Sequence, residues 1–188
     1  MQRPSKHEYY LGIAKAVAQR ATCFRVTLGA VIVKDDQIIA TGYVGAPRKT
    51  KSCFEHGNCI RDLLKIPHGE RYETCRSVHA EQNAIINAAR AGVSLLDGVM
   101  YFYGERKTGE LVDALPCFFC KRMIVNAGIK QFIGYDKKGA LIVTEVEDWI
   151  KDWQEHDIAQ DNVRWADDLK EKKLEEEILE REKHRNKK

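Results

Sequence analysis

The chain has 188 residues, 44% of them hydrophobic and 31% charged, with a formal net charge of +3. That balance suits one globular core plus an appendage, and it gives no electrostatic case for a dedicated nucleic-acid surface. No stretch approaches the roughly 18 apolar residues of a membrane span. The N-terminal MQRPSKHEYYLGIAKAVAQR is charged throughout and lacks the plan of a secretion signal, so a cytoplasmic location with no membrane association is expected. Six cysteines in a reducing compartment point to metal binding or catalysis rather than to disulfides.

In chain order, Leu11, Ala14, Val17 and Ala18 recur at helical spacing, with Ser5 as N-cap of a helix running to about Arg20. TLGAVIVK, Asp35-Asp36 and QIIATGYVG form a hairpin pattern whose turn lacks the usual glycine. Residues 47–76 break the pattern. They hold three cysteines and two histidines with no clean periodicity, and a stretch of that length inside a compact domain needs something to organise it. From Ser77 a helical pattern resumes through Val78, Ile85, Ala88 and Ala89, and Gly92 stops it.

GVMYFY at 98–103 reads as a buried strand. A polar stretch follows, then a helix over 116–127 ended by Gly128, then the strand KQFIGY. Strands alternating with helices after an initial hairpin predict an α/β fold, a three-layer αβα sandwich around a mixed sheet. The boundaries expected are a domain over 1–144 and a charged helical extension over 145–188. The extension carries pairs four apart such as Lys173–Glu177 and Glu177–Arg181, and an apolar stripe at Trp165, Leu169, Leu174 and Ile178. A solvated helix is the simpler reading of such a tail; a partner-binding helix is the alternative.

Two short elements carry the chemistry: His79-Ala80-Glu81 and Pro116-Cys117-Phe118-Phe119-Cys120. Zinc takes imidazole and thiolate ligands, and a catalytic zinc keeps three protein ligands and one open position. His79, Cys117 and Cys120 supply three. Pro116 suits the first position of a helix, which sets the thiolates near the positive end of its dipole. Glu81 has no place among the ligands. A carboxylate beside the metal serves instead to take a proton from water and return it to a leaving nitrogen. Residues two apart do not share a helical face, so His79 and Glu81 meet one metal only at an irregular first turn. A lone Cys-x-x-Cys is often structural or redox-active, and a lone His-x-Glu carries little. Together they form the H-x-E and P-C-x-x-C combination of zinc nucleobase deaminases.

Beyond these motifs, RPSKHEYYLGIAKAVAQRATC, LGAVIVKDDQIIATGY, CRSVHAEQNAIINAARAGVS and PCFFCKRMIVNAGIK resemble the deoxycytidylate deaminase family, its bacterial and phage-type members in particular, from about Arg3 to Tyr135. The resemblance implies a cytidine-deaminase-like fold, a homo-oligomer (often a hexamer), hydrolysis of dCMP to dUMP and ammonia, and dCTP and dTTP as effectors. It implies His79, Cys117 and Cys120 as zinc ligands. Glu81 would be the proton shuttle, serving N3 and then the departing amine while C4 is attacked. It also implies a second, structural zinc at Cys23, Cys53 and Cys75, with Cys59 as fourth ligand and His56 or His68 as alternatives. An irregular cysteine-rich insert stabilised by metal binding agrees with this, and buried free thiols are the competing account.

Two features depart from the family. Where relatives read Gly-Tyr-Asn-Gly, this chain has Gly42-Tyr43-Val44-Gly45, and valine cannot make the hydrogen bond expected of that asparagine toward the nucleotide. The stretch 104–115 is also longer than the usual link before Pro116 and lies next to the ligands. Tyr43, Val44, Arg25 and Arg48 are the substrate-contact candidates, with Lys49 and Lys51 as further basic residues for a phosphate. Three alternatives keep the same motifs: deamination of a modified cytosine nucleotide, nucleoside or other heterocycle; a low-turnover zinc-binding regulatory module; and nucleic-acid editing, which the charge balance does not favour.

Overall fold

The computed structural model describes residues 3–67 and 69–158. Helix α1 (Lys6–Ala18) starts at a capping box, in which the Ser5 hydroxyl accepts from the Glu8 amide and the Glu8 carboxylate accepts from the Ser5 amide. Strands β1 (Val26–Lys34) and β2 (Gln37–Tyr43) follow as an antiparallel hairpin. Its turn needs no glycine because Asp35 and Asp36 both adopt the left-handed conformation, with φ of 48° and 61°. Aspartate tolerates that region, and α1 holds the turn in place. The Tyr10 hydroxyl donates to the Asp36 carboxylate at 2.7 Å, and Lys6 pairs with the same side chain at 2.8 Å.

Next come the short helices α2 (Cys53–His56) and α3 (Ile60–Leu63), a 3-10 turn at Tyr72–Thr74, and α4 (Ala80–Ala91), ended by Gly92 at φ 68°. Strand β3 (Val99–Arg106), helix α5 (Phe118–Asn126), β4 (Gln131–Tyr135), β5 (Leu141–Glu145) and α6 (Val146–Glu155) complete the described chain. The sheet order is β2-β1-β3-β4-β5. Only β3 and β4 run parallel among these strands, which makes the sheet mixed.

Alternation along the central strands builds the layers. Val31 and Val33 of β1 and Tyr101 and Tyr103 of β3 face α1. Their neighbours Ala30, Ile32, Met100 and Phe102 face the opposite side, with Ala80, Ala84 and Ala88 of α4 and Cys120 and Ile124 of α5. Ile32, Met100, Ile124, Ile133 and Phe132 are almost wholly buried, and each stabilises the fold by about 1.5–3 kcal/mol. Two glycines set the spacing of the layers. A Cβ on Gly29 would collide with the α1 backbone at Ala14 and Ala18, and one on Gly42 with the α4 backbone at Ala80 and Ala84.

Several boundaries differ from expectation. Helix α5 begins two residues after Pro116, because Cys117 is an extended N-cap with ψ 163° and proline precedes it. The stretch 104–115 is folded. Strand β3 runs into it as far as Arg106, the chain turns at Gly109 with φ 88°, and Leu111 pairs back with Glu105. The compact unit closes at Ile150 and not after residue 144. Strand β5 completes the sheet, Val146 is buried, and Trp149 packs on Phe132. In the second unit, from Lys151, helix α6 reaches Glu155. Trp165, Leu169, Leu174 and Ile178 of the expected charged helix lie outside the described residues, as does His68. No helix among the described residues is long and apolar enough to cross a membrane.

Candidate metal centre and active site

Two helix N-termini on the same face of the sheet bring the donor atoms together. His79 caps α4 and Cys117 caps α5, each with an extended backbone, ψ 157° and 163°. The cap position answers the spacing problem posed by His79 and Glu81. His79 stands outside the helix, Glu81 stands in its first turn, and the rule for helical faces does not bind them. Just before the cap, Val78 pairs with Gly45 through two backbone hydrogen bonds of 2.8 and 3.2 Å. Helix α4 is then stitched along β2: the Asn83 amide donates to the Tyr43 carbonyl at 2.8 Å and the Asn87 amide to the Thr41 carbonyl at 2.7 Å.

The Sγ atoms of Cys117 and Cys120 lie 3.5 and 3.4 Å from Nδ1 of His79. All three donor atoms fall within 4.8 Å of one another, the one such group of His, Cys, Asp or Glu among the described residues. The charge states show what this cluster lacks. Cys117 is pulled well below the ordinary thiol range, first by the hydrogen bond from Cys120 and then by His79, against the effect of burial. Cys120 is pushed far up, because Cys117 already holds the negative charge and burial penalises a second one. At His79 burial disfavours the cation, but the Cys117 hydrogen bond and the Glu81 charge outweigh it and raise the group. Two thiolates and an imidazole fit zinc, and the positive ends of the two helix dipoles favour the thiolate form of the sulfurs.

Glu81 is 3% exposed, and its Oε2 is buried with no hydrogen-bond partner. Burial raises its carboxyl above the usual range. An unpaired buried carboxylate oxygen costs about 1–3 kcal/mol, so it persists only where a substrate or water supplies the missing partner.

The substrate-contact candidates separate in space. Tyr43 lies beside α4 and is 37% exposed, and the Arg48 guanidinium donates to the Asn87 side chain on the same helix. Val44 is buried in a small apolar cluster with Ala21 and Cys23, packed against Val26 and Leu28. Arg25, just before β1, faces the insert, 3.5 Å from Asp62, with its amide donating to Cys23.

Three of the four noncatalytic cysteines lie in that insert, and Cys23 lies beside it. Cys53 is pushed up by burial and also feels Cys23, Cys59 and Cys75, while amide hydrogens of Arg25 and Ser77 reach the sulfurs of Cys23 and Cys75 at 3.4 and 3.5 Å. All six cysteines are free. His56 closes α2. Two residues that spacing did not single out, Arg61 and Tyr72, also reach the centre. The Tyr72 ring meets the His79 ring edge-on at 5.1 Å, and the Arg61 guanidinium stacks on Tyr72 at 4.7 Å. Neither lies in a periodic segment. An arginine and a tyrosine flanking an unexplained irregular stretch were the available signal.

A mixed five-stranded sheet that presents a His-Cys-Cys cluster and a buried glutamate at two helix N-termini defines a zinc-binding protein of the cytidine-deaminase-like fold. The chain belongs to the cytidine and deoxycytidylate deaminase zinc-binding family, whose pattern matches residues 4–135. It is 36% identical over 138 residues to deoxycytidylate deaminase of Mycobacterium phage D29, covering 71% of this chain and 96% of that one. It is 34% identical over 131 residues to the Schizosaccharomyces pombe deoxycytidylate deaminase, but spans only 37% of that protein's length. The crystal structure of dCMP deaminase from the cyanophage S-TIM5 in apo form superposes with a TM-score of 0.52 at 26% identity, covering 72% of this chain and 86% of that one.

Proposed function

We propose that this chain hydrolyses dCMP to dUMP and ammonia, with His79, Cys117 and Cys120 holding a catalytic zinc ion and Glu81 moving the protons. The observation that carries this is a three-donor cluster beside a fully buried carboxylate with an unpaired oxygen. Zinc bound there supplies a Lewis acid that brings the pKa of water to near 7. Glu81 accepts a proton from the attacking water and places it on N3 of the cytosine as C4 gains the new C–O bond. It then takes the second proton from the new C4 hydroxyl and passes it to the exocyclic amine, so that the C4–N bond breaks, C4 becomes a carbonyl and ammonia leaves. Burial suits Glu81 to this task, because a carboxyl raised toward neutrality both takes and gives protons. The positive ends of α4 and α5 favour the thiolates.

Cys23, Cys53, Cys59 and Cys75 would hold a second, structural zinc; the electrostatic influence of the other three on Cys53 supports this, while among the described residues only the His79 group has its donor atoms drawn together. A cytoplasmic homo-oligomer, hexameric in the family it resembles and responsive to dCTP and dTTP, completes the reading. Val44 packs into an apolar cluster, so the nucleotide's polar groups would be met by other residues, with Tyr43 and Arg48 beside α4.

The test is ammonia release by the zinc-replete protein from dCMP, CMP, deoxycytidine, dCTP and 5-substituted dCMP. Selective turnover of dCMP is expected. Turnover of another compound alone would assign a different heterocycle to the same chemistry, and silence on all five would point to a binding module.

A further inference from the structure

Arg61 is 4% exposed, an unusual position for an arginine. It sits in α3, inside the cysteine-rich insert, and uses its guanidinium in two ways. At the edge of the plane, Nη2 donates to the carbonyls of Pro67 and Glu70, at 2.6 and 2.5 Å, which closes the loop after α3. Its Cζ lies over the Tyr72 ring, 4.7 Å from the ring centre. Nε is buried without a partner, so loop closure does not account for the whole side chain. The Tyr72 ring then meets the His79 imidazole at 5.1 Å with an interplanar angle of 85°. His79 is an N-cap, and the ladder of α4 does not hold its ring; the two sulfurs reach only Nδ1, which leaves the tilt of the ring to contacts such as the one with Tyr72.

We propose that Arg61 is a positioning residue that acts through Tyr72 to set the orientation of the His79 imidazole, which makes the insert one wall of the metal centre. This rests on His79 being a metal ligand, as proposed above. A lysine would keep the charge but lose both the stacking plane and the paired donors.

The experiment uses the full chain with cobalt(II) in place of zinc and compares Arg61→Lys, Tyr72→Leu and Tyr72→Phe. It records the visible absorption of the cobalt–thiolate centre, then kcat and KM for dCMP, then the thermal midpoint. Arg61→Lys and Tyr72→Leu are expected to shift the absorption and lower kcat roughly 10-fold while KM stays within about twofold. Tyr72→Phe, which keeps the ring, restores the absorption lost in Tyr72→Leu. Folded variants with unchanged absorption and kcat would reduce Arg61 to a loop staple, and a rise in KM alone would make it a substrate contact. Either result overturns the proposal. If Arg61→Lys does not fold, Tyr72→Leu decides, because it leaves the Pro67 and Glu70 bonds in place. Wild-type protein that binds cobalt but leaves dCMP intact refutes the proposed substrate, and the absorption shifts still judge Arg61.

Discussion

The sheet-and-helix frame and the insert at 47–76 build their share of the site by opposite means. In the frame, strand ladders and helical turns satisfy the backbone, and side chains are free to pack: Ala80, Ala84 and Ala88 lie flat against β1 and β2. In the insert, helices of four residues satisfy little, and side chains do the work of a ladder. Ser52 and Glu55 close a capping box, Arg61 holds two carbonyls, and Arg76 reaches Asn58 at 3.0 and 3.1 Å. The frame tolerates exchange of one apolar residue for another of similar volume. The insert depends on particular polar and sulfur atoms, each with a specific partner.

The largest effect is expected where the frame delivers chemistry. Glu81→Gln should lower kcat on dCMP by about 10²–10⁴-fold while elemental analysis finds the zinc content unchanged. Retained turnover would remove Glu81 from the mechanism and leave the frame as scaffold alone. In the insert, Cys53→Ser should lower the zinc content from about two ions per chain to one and reduce stability by several kcal/mol in denaturant titration. An unchanged metal count would mean that packing and hydrogen bonds organise the insert without a metal.

A smaller effect tests how closely the frame is set. Gly42→Ala places a methyl group against the α4 backbone and should cost about 1–3 kcal/mol in urea unfolding, with some loss of activity as α4 and His79 shift. A neutral result would show that the frame gives way locally. Smallest of all, Lys107 spans the two regions through Thr27 at 3.0 Å and the Phe54 ring at 5.5 Å. It is exposed, so Lys107→Ala should change stability by no more than about 0.5 kcal/mol. A larger loss would mean that the hairpin at 104–115 braces the insert.

The same contrast decides what could be read from sequence. The β-branched runs of the hairpin, the buried run GVMYFY and the helical spacing that ends at Gly92 are local signals, so the order of the elements was legible. The three donors and Glu81 were legible as a motif, but not the reason they can meet, because the N-cap placement of His79 is a backbone property that spacing does not express. Strand β5 was missed although LIVTE is a β-branched run of the kind strands favour, and the burial of Val146 was missed because it opens the charged segment that follows. Val44 was taken as a lost polar contact in the nucleotide pocket, whereas its side chain belongs to the cluster around Cys23. The Arg61–Tyr72–His79 stack was invisible. It joins residues of an aperiodic segment to a helix cap, and no local pattern encodes such a pairing.

The parallel pairing of β3 with β4 has a kinetic consequence. His79 arrives on a helix docked against a two-strand hairpin of short sequence separation, whereas Cys117 and Cys120 sit inside the crossover that joins two parallel strands. Such crossovers close long loops before their contacts reward the closure, and they form slowly. The imidazole half of the centre is thus expected to be in place before the sulfur half. Acquisition of tight metal affinity would then mark the last docking event in folding, and a nascent chain would meet the ion only when the sheet is nearly complete.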